Sequence, residues 1–109
     1  MIIAVASKDG LEINQHFGHA ERFLIFAVSG TDVKQVDEKI VERYCSYDEN
    51  HPLRRHVLQA IADALQGCRA IVCSQIGQAP REEMQRLGFE VYCASGEIRQ
   101  TLAELATVL

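Results

Sequence analysis

Hydrophobic residues fall in short blocks along this chain, and their spacing changes half-way. Ile2-Ile3-Ala4-Val5-Ala6 is a continuous apolar run, as expected of a strand buried on both faces. Phe23-Leu24-Ile25-Phe26-Ala27-Val28 is a second such run. Ser29-Gly30-Thr31-Asp32 is a hairpin-type turn cluster. From Val33 to Val41 the apolar residues Val33, Val36, Ile40 and Val41 are set among polar ones. That predicts a third strand, more exposed and at an edge. Beyond residue 50 the spacing becomes helical. Asn50-His51-Pro52 reads as a helix start, with Pro near its favoured first position. Leu53, Val57, Leu58, Ile61 and Leu65 then form a stripe that Gly67 ends. Residues 69–73 predict a fourth strand. A short helix from Ala79 or Pro80 carries Met84 and Leu87 and stops at Gly88. Phe89 to Cys93 predicts a fifth strand. Ser95 suits the N-cap of a last helix whose apolar face is Ile98, Leu102, Leu105 and Leu109.

The succession is β-β-β-α-β-α-β-α. It predicts an α/β domain, a mixed five-stranded sheet with helices on both faces. With strands numbered along the chain, the order 3-2-1-4-5 with strand 2 antiparallel is ribonuclease H-like. A flavodoxin-like fold needs a helix between the first two strands. Residues 7–20 hold Gly10, Asn14 and Gly18 and no helical stripe. In the favoured topology four strands end at one edge. Ligands of open α/β sheets collect at the carboxyl ends of strands. Here that edge would gather His16, His19, Cys45, His51, Cys73 and Cys93, the soft donors that bind iron–sulfur, copper or zinc centres.

Composition narrows the function classes. With 109 residues, 48% of them hydrophobic, the chain makes one ordinary globular domain. Eleven Lys and Arg against fifteen Asp and Glu give a net charge of −4, which disfavours nucleic-acid binding. Arg54-Arg55-His56 is the one basic cluster and reads as a solvated helix face. The first apolar run is too short for a signal peptide, and none is long enough to span a bilayer. A soluble, cytoplasmic protein without membrane partners is expected. The four cysteines, at 45, 68, 73 and 93, form no C-x-x-C pair and are expected as free thiols.

The segment from Ser7 to Ala20 is long for a connection in a small domain, and such loops usually carry function. It ends Asn14-Gln15-His16-Phe17-Gly18-His19-Ala20. The two histidines put two nitrogen donors within a short arc. Gly18 would permit a positive φ between them, and Phe17 could anchor the loop in the core. The alternative is that the histidines cap backbone groups. Cys45 follows Tyr44 at a strand end, where either ligation or packing is open to it. Cys73 and Cys93 close apolar strands, which favours burial. Cys68 falls away from the ligand edge and reads as structural. His51 and His56 read as surface residues. Arg54 and Arg55 could face an anion if the first helical turn points at the edge.

Residues 3–10, then Asn14 to Ala20, resemble the nitrogenase iron–molybdenum cofactor biosynthesis family, of the type of NifX and the C-terminal domain of NifB. Matching elements continue at Val41 to Cys45, Cys68 to Ser74 and Ile76 to Pro80. The resemblance runs from Ile2 to about Cys93. It implies a ribonuclease H-like fold and a single cofactor-binding-type domain over 1–109. It also implies binding of iron–molybdenum cofactor, its iron–sulfur precursor, or related molybdenum- or copper-containing clusters. Such proteins store the cluster or carry it between assembly proteins. By resemblance His16 is the family histidine, His19 the second histidine of the subgroup, and Cys45 the cysteine of the third strand. The radical-SAM half of NifB, with its cysteine-rich motif, is not in these residues, so precursor synthesis is not implied and no enzyme is expected.

Other functions can be weighed from the residues. A ribonuclease H-like nuclease needs several carboxylates around Mg²⁺. The first strand has none, and Asp9 and Glu12 fall in the loop. A mononuclear zinc or copper site from His16, His19 and Cys45 is chemically allowed. So is a docking domain that uses the histidine loop without metal. No Walker sequence, G-x-G-x-x-G or nucleophilic triad is visible. For a carrier, one or two imidazole or thiolate ligands on a mobile loop suit release better than a closed cage.

Overall fold

The computed structural model describes residues 1–45 and 54–109. In chain order the elements are β1 (Ile2–Val5), β2 (Glu12–Ile13), a 3₁₀ turn (Phe17–His19), β3 (Arg22–Ser29) and β4 (Asp32–Ile40). Then follow α1 (Arg55–Ala64), β5 (Ala70–Cys73), α2 (Gln78–Arg86), β6 (Glu90–Cys93), β7 (Gly96–Glu97) and α3 (Ile98–Ala106). Five strands form one sheet in the order β4-β3-β1-β5-β6. β3 is antiparallel to both β1 and β4, while β1, β5 and β6 are parallel. β1, β4, β5 and β6 therefore end at the same edge. The predicted start at Asn50-His51-Pro52 lies outside the described residues.

The continuous apolar runs are explained by burial on both faces. Alternate residues of β1 point to opposite sides. Ala4 and Ala6 join Phe23, Ile25, Ile71 and Val91 against Val57, Leu58, Ile61 and Leu65 from α1 and its end, and Met84 of α2. Ile3 and Val5 join Leu24, Phe26, Val28 and Val72 against Ile98 and Leu102 of α3. β4 covers only one neighbour, and of its residues only Val33 is buried. Its charged side chains suit a sheet margin, because exposed charge discourages pairing with another chain.

One local expectation is corrected. The N-cap of α3 is Glu97, not Ser95: its carboxylate accepts from Arg99 N at 3.0 Å and Gln100 N at 2.9 Å. Gly96 and Glu97 are held in β7 by pairing with Ile13 and Glu12, which delays the helix by two residues. This two-stranded ribbon, β2 with β7, has no signal in the apolar pattern. Among the described residues no helix is long and apolar enough to cross a membrane.

Candidate metal-binding cleft

The segment between β1 and β3 is held at several points. Asp9 Oδ1 accepts from Leu11 N at 2.9 Å and Glu12 N at 3.0 Å, and its Oδ2 accepts from Asn14 Nδ2 at 3.2 Å. These bonds hold the Asp9 carboxyl below the usual carboxylate range, the Leu11 and Glu12 amides being the main cause. Ser7 Oγ donates to Glu12 O at 2.6 Å and accepts from Gly10 N at 2.9 Å. Ile98 N donates to Leu11 O at 2.9 Å, tying the segment to α3. Further on, Ser74 N donates to Gln15 O at 3.0 Å and Phe17 N to Gln75 O at 2.9 Å. The loop that the sequence offers as mobile is thus tied along its length. Asp9, the acid nearest β1, is committed to the turn.

His16 and His19 flank one 3₁₀ turn. Residues three apart eclipse in that geometry. Their rings stack with centroids 5.2 Å apart and planes 8° from parallel. Phe17, fully buried, points the other way and packs on Phe23 and Tyr44 at 5.8 and 6.4 Å between ring centres. The anchor role expected of Phe17 is observed. The reason expected for Gly18 is not, because its φ is not positive. What needs glycine there is Cys45. A Cβ on Gly18 would lie under 3.0 Å from Cys45 Sγ, and Cys45 N donates to Gly18 O at 2.8 Å. The chain leaving β4 therefore lies directly over the histidine turn.

These contacts form a cleft of about 260 Å³ lined by His16, Gly18, His19, Tyr44, Cys45, Gln75, Ile76, Gly77 and Pro80. All three candidate ligands predicted from the sequence border it. Both histidines are exposed and Cys45 is half-buried. A larger hollow of about 460 Å³ on the other side of His19 includes Lys8 and Arg22 but neither His16 nor Cys45. Desolvation by the neighbouring residues pushes the His19 imidazole below the usual histidine value, helped by Arg43, His16 and Lys8. A neutral ring is the form that can donate a lone pair to a metal. Among the described residues, no group of three or more His, Cys, Asp or Glu side chains converges to hold a single metal ion.

The other candidates separate. Cys73 is buried, as expected of a strand-closing cysteine, whereas Cys93 is exposed, against expectation. β6 is the last strand of the sheet, so its end has cover on one side only. Cys68 stands just before β5, at the end opposite the cleft. His56 is exposed, and His51 lies outside the described residues. The basic cluster is not simply a solvated face. Arg54 reaches back to the Tyr44 carbonyl at 2.7 Å and to Glu42 at 3.2 Å, so it braces the segment that carries Cys45. Sequence reasoning passed over Gln75 to Gly77 as site residues. Their position just after a buried strand, at the carboxyl edge, was the available signal.

A family model described as dinitrogenase iron–molybdenum cofactor matches residues 1–108. The chain belongs to this family. It is 34% identical over 90 residues to the FeMo cofactor biosynthesis protein NifB of Azotobacter vinelandii, an alignment covering 83% of this chain and 18% of that protein. The NifB of Frankia alni is 32% identical over 109 residues, covering the whole chain and 21% of the relative. The chain thus spans about a fifth of the length of these relatives. Among solved structures, PH0822 superposes with a TM-score of 0.70 at 23% identity, covering 99% of this chain and 90% of that one. At this identity the likeness speaks for the fold, a mixed α/β domain, and the family assignment rests on the sequence match.

Proposed function

We propose that this member of the family binds an iron–sulfur-based metallocluster, either iron–molybdenum cofactor or its precursor, and carries it during nitrogenase cofactor assembly. The observation that carries this reading is the single cleft where His16, His19 and Cys45 meet. Imidazole and thiolate are donors for iron, molybdenum and copper centres, and among the described residues no carboxylate lines the cleft. Donors spaced along a wall can reach different metal atoms of a polynuclear cluster. A single tetrahedral ion needs them to converge. The ligands are exposed on one side, which suits uptake and release, and the rigid turn keeps the two rings together between cargoes. In this reading the sheet is ribonuclease H-like, and the protein is a cytoplasmic, non-catalytic carrier in nitrogen fixation. Its partners are other assembly proteins, with no nucleic acid or membrane involved.

The test is strictly anaerobic purification from cells that make nitrogenase cofactor precursors, followed by iron, sulfide and molybdenum analysis. Several irons with sulfide per chain are expected, and His16→Ala, His19→Ala and Cys45→Ala should each lower them. Equal loading of wild type and all three variants would overturn the proposed site. Tight equimolar Zn²⁺ binding without iron or sulfide would support a mononuclear site instead. Capture of assembly proteins that survives metal removal would support a docking domain.

A further inference from the structure

A second pair of thiols lies outside the cleft. Cys73 and Cys93 are register partners at the carboxyl ends of β5 and β6. Neighbouring strands lie about 4.8 Å apart. That is inside the Cα separation of about 4.4–6.8 Å that a disulfide spans. Register partners point to the same face, here the one covered by α1 and α2, where Cys73 packs with Ile71, Met84 and Val91. Arg81 of α2 donates to the Val91 carbonyl at 3.1 Å and reaches Cys93 Sγ at 2.9 Å. It therefore holds the exposed sulfur on the side of the sheet that carries Cys73. Burial first, and then the neighbouring Cys93, push the Cys73 thiol up to about 12. The two sulfurs thus differ in access: one meets solvent and the other waits beneath it.

We propose that Cys93 and Cys73 form a peroxide-reactive dithiol, with Cys93 the attacking sulfur and Cys73 the resolving one. The Cys93 thiolate attacks one oxygen of hydrogen peroxide. The O–O bond breaks, hydroxide leaves and is protonated to water, and Cys93 is oxidised to the sulfenic acid. Cys73 sulfur then attacks Cys93 sulfur. The S–S bond forms, the S–O bond breaks, and hydroxide leaves with the Cys73 proton as a second water. Two thiols and one peroxide thus give one disulfide and two waters. The modified residue adjoins Ser74, whose N–H holds Gln15 O, so the bond forms beside the anchor of the histidine turn.

The test treats the reduced full chain, free of metal, with one equivalent of hydrogen peroxide, then alkylates it and maps peptides by mass spectrometry. The expected result is one intrachain Cys73–Cys93 link, with Cys45 and Cys68 alkylated. Cys73→Ala should leave a sulfenic acid on Cys93 that dimedone traps. Cys93→Ser, a surface change, should abolish the link and slow peroxide consumption by about tenfold or more. A link between any other pair overturns the proposal. So does stable dimedone trapping at Cys93 in the wild type, or unchanged peroxide consumption in Cys93→Ser.

Discussion

Alanine at position 18 is the sharpest test of how the cleft is built. The backbone there is not left-handed, so alanine meets no conformational penalty. Its methyl would lie under 3.0 Å from Cys45 Sγ and 3.5 Å from Cys45 Cβ. Carbon and sulfur settle at about 3.7 Å, so the methyl sits more than about 0.7 Å too close. The Cys45 backbone resists retreat because its N–H is bonded to Gly18 O at 2.8 Å. Relief comes from turning the thiol out of the cleft or parting the two segments, and overpacking of this kind costs about 1–3 kcal/mol. In a Cys45→Ala background the clashing atom is gone and the remaining 3.5 Å contact is close to ordinary. There Gly18→Ala should cost little. A double-mutant cycle by urea unfolding should therefore give a coupling of about 1–2 kcal/mol. Unchanged denaturant slopes would show that all four proteins unfold alike. Cys45 should also react faster with a thiol reagent in Gly18→Ala than in the wild type. Additivity within about 0.5 kcal/mol, with unchanged thiol reactivity, would refute the contact.

Three further outcomes are expected. By NMR titration of the metal-free chain, His19 should lose its proton below the ordinary histidine value of 6.5, chiefly through desolvation. The unfolded chain then binds more protons, so this residue's contribution rises with pH between its lowered value and 6.5 and is complete above; titration at or above 6.5 refutes it. Leu102→Ala removes a fully buried side chain from beneath α3 and should cost about 2–5 kcal/mol in urea unfolding. The same change at half-buried Leu105 should cost clearly less, and equal costs would contradict the packing of that face. Arg54→Ala removes its bonds to the Tyr44 carbonyl and the Glu42 carboxylate, and should cost about 1–2 kcal/mol while lowering the metal loading proposed for Cys45. Wild-type loading would show that Arg54 does not position that residue.

The strands were legible because burial on both faces leaves uninterrupted apolar runs, as at Ile2 to Ala6 and Phe23 to Val28. The ribbon of β2 and β7 was not, since it contributes one buried side chain, Ile13, and its bonds are between backbone atoms. Backbone pairing leaves no periodicity to read. The same ribbon displaced the α3 cap from Ser95 to Glu97. Both residues are good acceptors, and only the pairing of Gly96 with Ile13 decides between them. Cys93 misled for a related reason. An apolar strand predicts burial only if it has neighbours on both sides, and the pattern within one strand does not report its place in the sheet.

The candidate site divides along the same line. Its side chains were visible as residue types, and the carboxyl-edge rule alone brings His16, His19 and Cys45 to one place. What fixes them there was not visible. His16 is held through the pairing of its segment with Gln75, about sixty residues away, and Cys45 through a bond to Gly18 from the other side of β3 and β4. Both anchors use main-chain atoms, so the sequence constrains them mainly by what must be absent. Gly18 is the clearest case. A glycine between two histidines suggests a turn, yet here it marks a second segment lying across the first. A missing side chain leaves room for the Cys45 sulfur, and that room brings the only sulfur among the three candidates into the cleft beside the two rings.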